Sequence, residues 1–173
     1  INFFNQYDAK IYRAERINTH GGSIRIYIKK DKKVKIEKNV KELIKEEEKF
    51  GIKNYETYQK FAEKIYKIKE KVTNKIQDLR QKNNKIVGYG SPAKATTALN
   101  FFGISKEIEY IIEDNKFKQG KYIPGVKIPI ISKKNLKEKP DCILVLAWNF
   151  FQEIKEQNID LTSTFLNIKD LEK

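Results

Sequence analysis

A glycine loop carries the clearest chemical signal in this sequence. Gly88 and Gly90 follow the apolar residues 86–87 and lead into a segment with the composition of a helix. Gly88 permits a tight turn, and Gly90 lets the backbone come close to a ligand. The first turn of the helix then presents free N–H groups and the positive end of its dipole, with Ser91 and Lys94 beside it. The pattern predicts a binding site for a phosphate or a similar anion.

Asp114 is a candidate partner of that loop. It follows a second apolar stretch, 24 residues after Gly90, close to the place where dinucleotide-binding folds put a carboxylate for a ribose diol. The third glycine of the dinucleotide fingerprint is replaced by Ala93 or Lys94. The loop therefore predicts a nucleotide site without the full pattern for NAD. A simple turn that starts at Asp114 and Asn115 is the alternative.

Three predicted strand ends are expected to converge at the loop. Ligands of open α/β sheets bind beyond the carboxyl ends of the strands, which here fall at residues 88–91, 113–115 and 147–150. Trp148 and Asn149 are thereby candidates for stacking on the ligand and for hydrogen bonding to it. A tryptophan that only caps the core is the alternative for Trp148.

The only histidine of the chain, His20, is the candidate for acid–base chemistry. It lies in the motif of residues 19–23, Thr-His-Gly-Gly-Ser, between two strand-like stretches. The two glycines allow the backbone to approach a ligand or to turn sharply, and an imidazole can act as a general base. From composition alone, a histidine in an ordinary surface turn is the simpler interpretation.

Hydrophobic periodicity predicts the elements that position these residues. Residues 11–28 have the pattern of two strands, and residues 37–83 have a helical pattern with a break at Gly51. The second helix carries an apolar stripe, which predicts packing against a neighbouring domain. The stripe consists of Tyr58, Phe61, Ala62, Ile65, Ile68, Val72, Ile76 and Leu79.

Beyond residue 84, short strands alternate with short helices. We predict strands at residues 85–88, 109–113, 142–147 and 163–166, and helices at residues 93–102 and 150–157. This alternation predicts an α/β fold with a Rossmann-like parallel sheet and helices on both faces. A helical connector and a short N-terminal strand pair precede it.

Charge and cysteine usage exclude several classes of protein. The formal net charge of +13 is compatible with several anionic partners, but lysines alternate with glutamates along the helices, which indicates a solvated surface. No nucleic-acid module is recognisable, so we expect neither nucleic acid nor a membrane as partner.

The single cysteine, Cys142, lies in an apolar run and is predicted to be a buried thiol, which excludes disulfides and argues against a metal site. No membrane-length run or signal peptide is present, so a cytoplasmic location is predicted.

Four motifs in order resemble the nucleotide-sugar C-methyltransferases. They are Thr-His-Gly-Gly-Ser-Ile-Arg-Ile-Tyr at 19–27, Gly-Tyr-Gly-Ser-Pro-Ala-Lys at 88–94, Asp-Asn-Lys-Phe-Lys-Gln-Gly-Lys-Tyr-Ile-Pro-Gly at 114–125 and Leu-Ala-Trp-Asn-Phe at 146–150. These enzymes transfer a methyl group from S-adenosylmethionine to a ring carbon beside the keto group of a nucleotide sugar. The resemblance covers nearly the whole chain and implies the same reaction and substrate class.

The resemblance also implies how the chain is organised. Members of the family have a zinc-binding domain, a methyltransferase domain and a C-terminal Rossmann-like domain. On this plan residues 1–30 are the terminal strands of the methyltransferase domain, residues 31–84 a helical connector, and residues 85–173 the C-terminal domain. The zinc cysteines and the loop for S-adenosylmethionine have no counterpart, so we expect an inactive fragment that binds no cofactor and whose partner is the upstream methyltransferase domain. The strand edges left open favour a homodimer.

The resemblance assigns roles to particular residues. His20 matches the histidine that helps to remove the proton next to the ketone, although Thr19 stands where some relatives carry an acidic residue. An enolate oxygen also needs a positive or hydrogen-bonding group beside it, and Arg25 is a candidate for this if its side chain faces the cleft. The predicted substrate-binding residues are Gly88, Gly90, Ser91, Lys94, Asp114, Trp148 and Asn149, with Lys118, Lys121 and Tyr122 on a loop that closes over the pyrophosphate.

Two other functions stay open at this stage. The glycine loop and Asp114 are compatible with a stand-alone NAD-binding or nucleotide-binding module of oxidoreductase type. The positive charge and the long helix are compatible with a domain that binds RNA or another protein.

Overall fold

The computed structural model describes residues 1–162 and 164–171, with the side chain of His20 excepted. The chain forms two compact units, Ile1–Glu63 and Lys64–Lys173. The predicted domain boundaries at residues 30 and 84 differ from this division and stay predictions.

The first unit is built around an antiparallel strand pair. Strands β1 (Lys10–Ile17) and β2 (Ser23–Lys29) pair along their length, and a 3-10 helix, Thr19–Gly21, joins them. A short helix α1 (Asn2–Asn5) precedes the pair, and α2 (Lys38–Phe50) follows it. The strand pair was predicted from the period-two alternation, and this prediction is confirmed.

Helix α2 ends where the sequence placed a break. Gly51 caps the helix with a φ of 79°, in the left-handed region that glycine adopts without strain. The next helix, α3 (Tyr55–Gln81), extends over 27 residues. Of its predicted apolar stripe, Val72 and Ile76 are fully buried, whereas Tyr58 and Phe61 are 55% and 62% exposed. The stripe therefore contributes to a core only in the C-terminal part of the helix.

The second unit is a five-stranded parallel sheet in the order β5-β4-β3-β6-β7. Its strands are β3 (Ile86–Tyr89), β4 (Ile108–Ile112), β5 (Ile130–Ile131), β6 (Cys142–Val145) and β7 (Phe165–Asn167), and its helices are α4 (Ala93–Phe102) and α5 (Phe151–Gln157). The predicted parallel α/β fold is confirmed. Strand β5 was not predicted, because two residues carry no periodicity. The predicted last strand began at Ser163, which lies outside the described residues, and β7 begins at Phe165.

Both faces of this sheet are covered, which explains the unbroken apolar runs of its strands. On one face Ile86 and Leu144 pack with Leu99 of α4 and with the buried residues of α3. On the other face Val87 and Ile143 pack with Ile154 of α5 and its neighbours. The helices thus lie on both faces of the sheet, as predicted.

Cys142 at the start of β6 is 1% exposed, which confirms the predicted buried thiol. Burial raises the pKa of this thiol to about 12, so it stays protonated at neutral pH. Within the described residues, no group of acidic, histidine and cysteine side chains is arranged to hold a metal ion. No helix of residues 1–162 and 164–171 has the length and apolarity needed to cross a membrane.

Candidate functional site

The glycine loop turns at Gly90, directly after β3. This residue has a φ of 84°, and its N–H donates to the carbonyl oxygen of Ile112 at 2.8 Å. A Cβ atom at this position would lie 2.8 Å from the Cβ atom of Ala147, beyond the end of β6. Both the backbone conformation and the close packing therefore require glycine here.

Gly88 has a different role from the predicted one. It lies within β3, and a Cβ atom there would come within 2.3 Å of Cδ1 of Ile111 and 3.0 Å of Cδ1 of Leu146. Its lack of a side chain makes room for the core. The interpretation of Gly88 as the turn glycine was wrong, because the chain stays extended until Gly90.

A buried carboxylate fixes the loop from the neighbouring strand. Glu113, at the end of β4, is 9% exposed. Its Oε2 atom accepts hydrogen bonds from the N–H of Ser91, at 2.8 Å, and from the Ser91 hydroxyl. Its Oε1 atom accepts from the N–H of Asn115 at 3.0 Å. Two strand-end loops are thereby tied together through one side chain.

Lys118 completes this network. Its Nζ atom donates to the carbonyl oxygen of Ser91 at 2.9 Å and lies 3.7 Å from Oε2 of Glu113. Burial by itself raises the pKa of Glu113, but the hydrogen bonds from Ser91 and Asn115 and the charge of Lys118 outweigh burial and bring this pKa below its ordinary value. Glu113 is therefore ionised at neutral pH.

The sequence pattern indicated Asp114 and not Glu113. The available signal was the pair of acidic residues directly after a buried strand. Side chains alternate along an extended chain, so one of two successive residues turns inward and the other outward. The pattern does not say which, and the structure buries Glu113.

Asp114 lies at the rim and is held by a buried phenol. The hydroxyl of Tyr89 donates to Asp114, with its oxygen 3.0 Å from Oδ1 and 2.9 Å from Oδ2. Tyr89 is 3% exposed. Burial, together with the hydrogen bond to Asp114, raises the pKa of Tyr89 to about 12. The phenol consequently remains a donor and holds the carboxylate in place.

The three predicted strand ends converge on one cleft, as expected. We call it the strand-end cleft; its volume is about 330 Å³. Residues 89–92 of the glycine loop, the pair Glu113 and Asp114, and residues Ala147 and Phe150 line it. Helix α5 adds Glu153 and Gln157 at the rim, where the Gln157 amide donates to Glu153 at 3.3 Å.

Other predicted binding residues lie away from the strand-end cleft. The Nζ atom of Lys94 lies 4.5 Å from the centroid of the Trp148 ring, and both side chains line a separate apolar groove with Phe101. Trp148 is partly buried against the core, which matches the alternative of a capping tryptophan. Asn149 is exposed and does not line either of these surfaces. Of the predicted residues, Gly90, Ser91, Asp114 and Lys118 are brought together in the strand-end cleft.

The predicted catalytic histidine belongs to the first unit. His20 lies in the 3-10 helix between β1 and β2, and its side chain is outside the described part of the structure. The turn closes through a hydrogen bond from Gly22 N–H to the carbonyl oxygen of Thr19, at 3.0 Å. The hydroxyl of Ser23 donates to the same carbonyl at 3.1 Å. The motif thus forms a closed turn, and the role of His20 stays a prediction.

A parallel sheet with a glycine loop and an acidic strand end places the second unit among Rossmann-like α/β domains. Residues 18–165 match the family model described as C-methyltransferase C-terminal domain, and the chain belongs to this family. It is also 30% identical, over 156 residues, to the C-methyltransferase NovU of Streptomyces niveus. That match covers 87% of this chain and 37% of NovU, so the chain spans little more than a third of this relative's length.

The family confirms the resemblance seen in the four motifs. It supports a methyltransferase function. It favours neither the oxidoreductase nor the RNA-binding alternative.

Proposed function

We propose that this chain is the substrate-holding C-terminal part of a methyltransferase that acts on a ring carbon of a keto nucleotide sugar. The observation that supports this most is the strand-end cleft in a chain of this family. Asp114, Glu153 and Gln157 offer acceptors for sugar or ribose hydroxyl groups at its rim. Phe150, which is 60% exposed, offers a flat ring on which a base or sugar can stack.

We place the methyl donor outside this chain. S-adenosylmethionine supplies an electrophilic methyl group, and its amino acid part carries a carboxylate that needs hydrogen-bond donors. The glycine loop does not fit it well, because the N–H and hydroxyl of Ser91 already donate to Glu113 and Pro92 has no N–H. The 63% of NovU that this chain does not match leaves room for a donor-binding domain, which we propose as the partner of this chain.

We further propose that His20 takes up the proton next to the ketone of the substrate. His20 lies in the closed turn of residues 19–23, between two strands, and general base catalysis is worth about 100-fold or more in rate. In a protein that joins this chain to its donor domain, His20→Asn should lower methyl transfer by at least that factor and leave sugar-nucleotide affinity unchanged. Equal turnover by the variant would exclude this role.

Calorimetric titration tests the substrate proposal directly. The chain is titrated with thymidine and uridine diphosphate sugars, and in parallel with NAD and S-adenosylmethionine. We expect the sugar nucleotides to bind and Asp114→Asn to weaken them about tenfold, since hydrogen bonds to a charged group contribute about 1.5 to 3 kcal/mol. Asp78→Asn, an exposed position on α3, is the matched control. Binding of NAD alone, or equal affinity of the Asp114 and Asp78 variants, would refute the proposal.

A further inference from the structure

We propose that the diphosphate of the nucleotide sugar binds in a lysine-lined cleft beside Asp114 and not on the glycine loop. This inference rests on the proposed function, which supplies the ligand. The lysine cleft has a volume of about 590 Å³. It is lined by Asp114, Lys116, Gln119, Ser132, Lys133 and Lys134.

Three of the residues that the sequence assigned to the phosphate already have partners elsewhere. Ser91 donates through both its N–H and its hydroxyl to Glu113. The ammonium group of Lys118 is bound to the carbonyl of Ser91, and that of Lys94 lies over Trp148. The ion pair of Glu113 with Lys118 also leaves the loop without a free positive charge for a second anion. The glycine loop is thus neutralised from within.

The lysine cleft has a net positive lining, with three lysines against the single carboxylate of Asp114. Lys116 and Lys134 make no ion pair among the residues that the structure describes, so their charges are available to a ligand. Lys133 donates to Asp160 at 3.1 Å. An ammonium group is a point charge with three donors, which suits phosphate oxygens from several directions.

The backbone around these lysines is held in place. The Ser132 hydroxyl oxygen accepts from the N–H of Lys134 at 3.3 Å and begins the 3-10 helix Lys133–Asn135. The amide of Gln119 donates to the carbonyl oxygen of Glu113 at 2.7 Å, which ties the loop that carries Lys116 to the end of β4. The cleft is therefore anchored on two sides to the sheet.

Asp114 lines both clefts. One ligand bound to Asp114 can therefore extend into both of them. A sugar nucleotide carries hydroxyl groups directly next to its diphosphate. If Asp114 accepts from those hydroxyl groups, the diphosphate extends toward Lys116 and Lys134. The remainder of the ligand then occupies the strand-end cleft, beside Phe150.

Titration of the whole chain with uridine diphosphate glucose, uridine diphosphate and uridine tests this placement. The double variant Lys116→Ala/Lys134→Ala should lose about tenfold in affinity for both diphosphates, because it removes two exposed ionic contacts with the phosphates. Its binding should also depend less steeply on salt. The control Lys82→Ala/Lys106→Ala removes the same charge before β3 and β4, at the opposite ends of the strands, and should bind the diphosphates like the parent chain.

Two results would overturn the inference while the proposed function stands. One is a loss of diphosphate affinity in Lys94→Ala with none in the Lys116/Lys134 variant, which would return the diphosphate to the glycine loop. The other is an equal loss of affinity in both double variants. The loss would then follow from the lower net charge of the chain and not from contacts in the lysine cleft. If the parent chain binds none of the three ligands, the proposed function itself fails, and the inference fails with it.

Discussion

The two sheets of this molecule differ in what covers them. In the five-stranded sheet, all residues of β3 and β6 are buried. In the two-stranded sheet only Ala14 is buried, and Ile24, Ile26 and Ile28 on β2 are 41% to 46% exposed. Both sheets are rich in isoleucine and both were predicted as strands. Apolar patterning therefore reports which side of a strand is apolar, and does not report what covers that side.

This difference has an energetic consequence. A two-stranded sheet is marginally stable by itself, whereas a covered parallel sheet supplies a core. We expect substitutions in the five-stranded sheet to be costly and those on the exposed side of β2 to be mild. The following predictions test this comparison, starting with the largest effect.

Leu144→Ala should lower the free energy of unfolding by about 3 kcal/mol, because it leaves a cavity in a fully buried core. Ile26→Ala, at 42% exposure, should cost less than about 1 kcal/mol. Urea denaturation followed by circular dichroism measures both. Equal losses would show that the exposed side of β2 is covered in solution, and would contradict the difference between the two sheets.

Gly90→Ala should cost about 2 kcal/mol, since it forces a side chain into the left-handed region and against Ala147. Gly22→Ala in the turn of the first unit provides the comparison, because Gly22 also has positive φ but has open space around its Cβ position. It should lose less stability than Gly90→Ala in thermal unfolding. The reverse order would contradict the tight packing of the glycine loop.

Glu113→Gln should lower stability by about 1.5 kcal/mol at neutral pH through weaker hydrogen bonds to Ser91 and Asn115. The pKa of Glu113 is lower in the folded chain than its ordinary value of 4.5. Its stabilising contribution is thus complete above pH 4.5 and is lost as the pH falls through the folded pKa. The variant should show a shallower loss of stability on acidification below pH 4.5. If the free energies of unfolding of the parent chain and the variant fell in parallel as the pH is lowered, the role of the carboxylate would be refuted.

Tyr89→Phe should lower the free energy of unfolding by about 1 kcal/mol, through loss of one hydrogen bond to Asp114. Because Asp114 is then less well held, sugar-nucleotide affinity should fall more than stability does. Calorimetric titration and urea denaturation of the same variant separate the two effects. A loss of stability with unchanged affinity would mean that Asp114 needs no support to bind.

The sequence predicted those features that depend on local pattern. Strands β3 and β6 were predicted because buried parallel strands form continuous apolar runs. The turn after β3 was also predicted, although only Gly90 of its two glycines forms it. Strand β5 was missed, since two residues have no period and their pairing depends on the distant β4.

The site was only partly predictable, because side-chain direction depends on tertiary packing. Lys94 and Trp148 follow the correct strand ends, yet their side chains meet each other in a separate groove. Glu113 and Asp114 are neighbours in sequence with opposite environments. Residue spacing correctly predicted which backbone segments line the cleft. It did not predict which of two adjacent side chains points into it.

Backbone amide shifts in a ¹⁵N-labelled chain titrated with uridine diphosphate glucose test the central claim most directly. We expect the largest shifts at Tyr89, Ser91 and Asp114 of the strand-end cleft and at Lys116 and Lys134 of the lysine cleft, with strands β1 and β2 little changed. Saturable binding whose shifts fall on β1 and β2 and leave the strand-end cleft unmoved would contradict the account. So would a complete lack of binding.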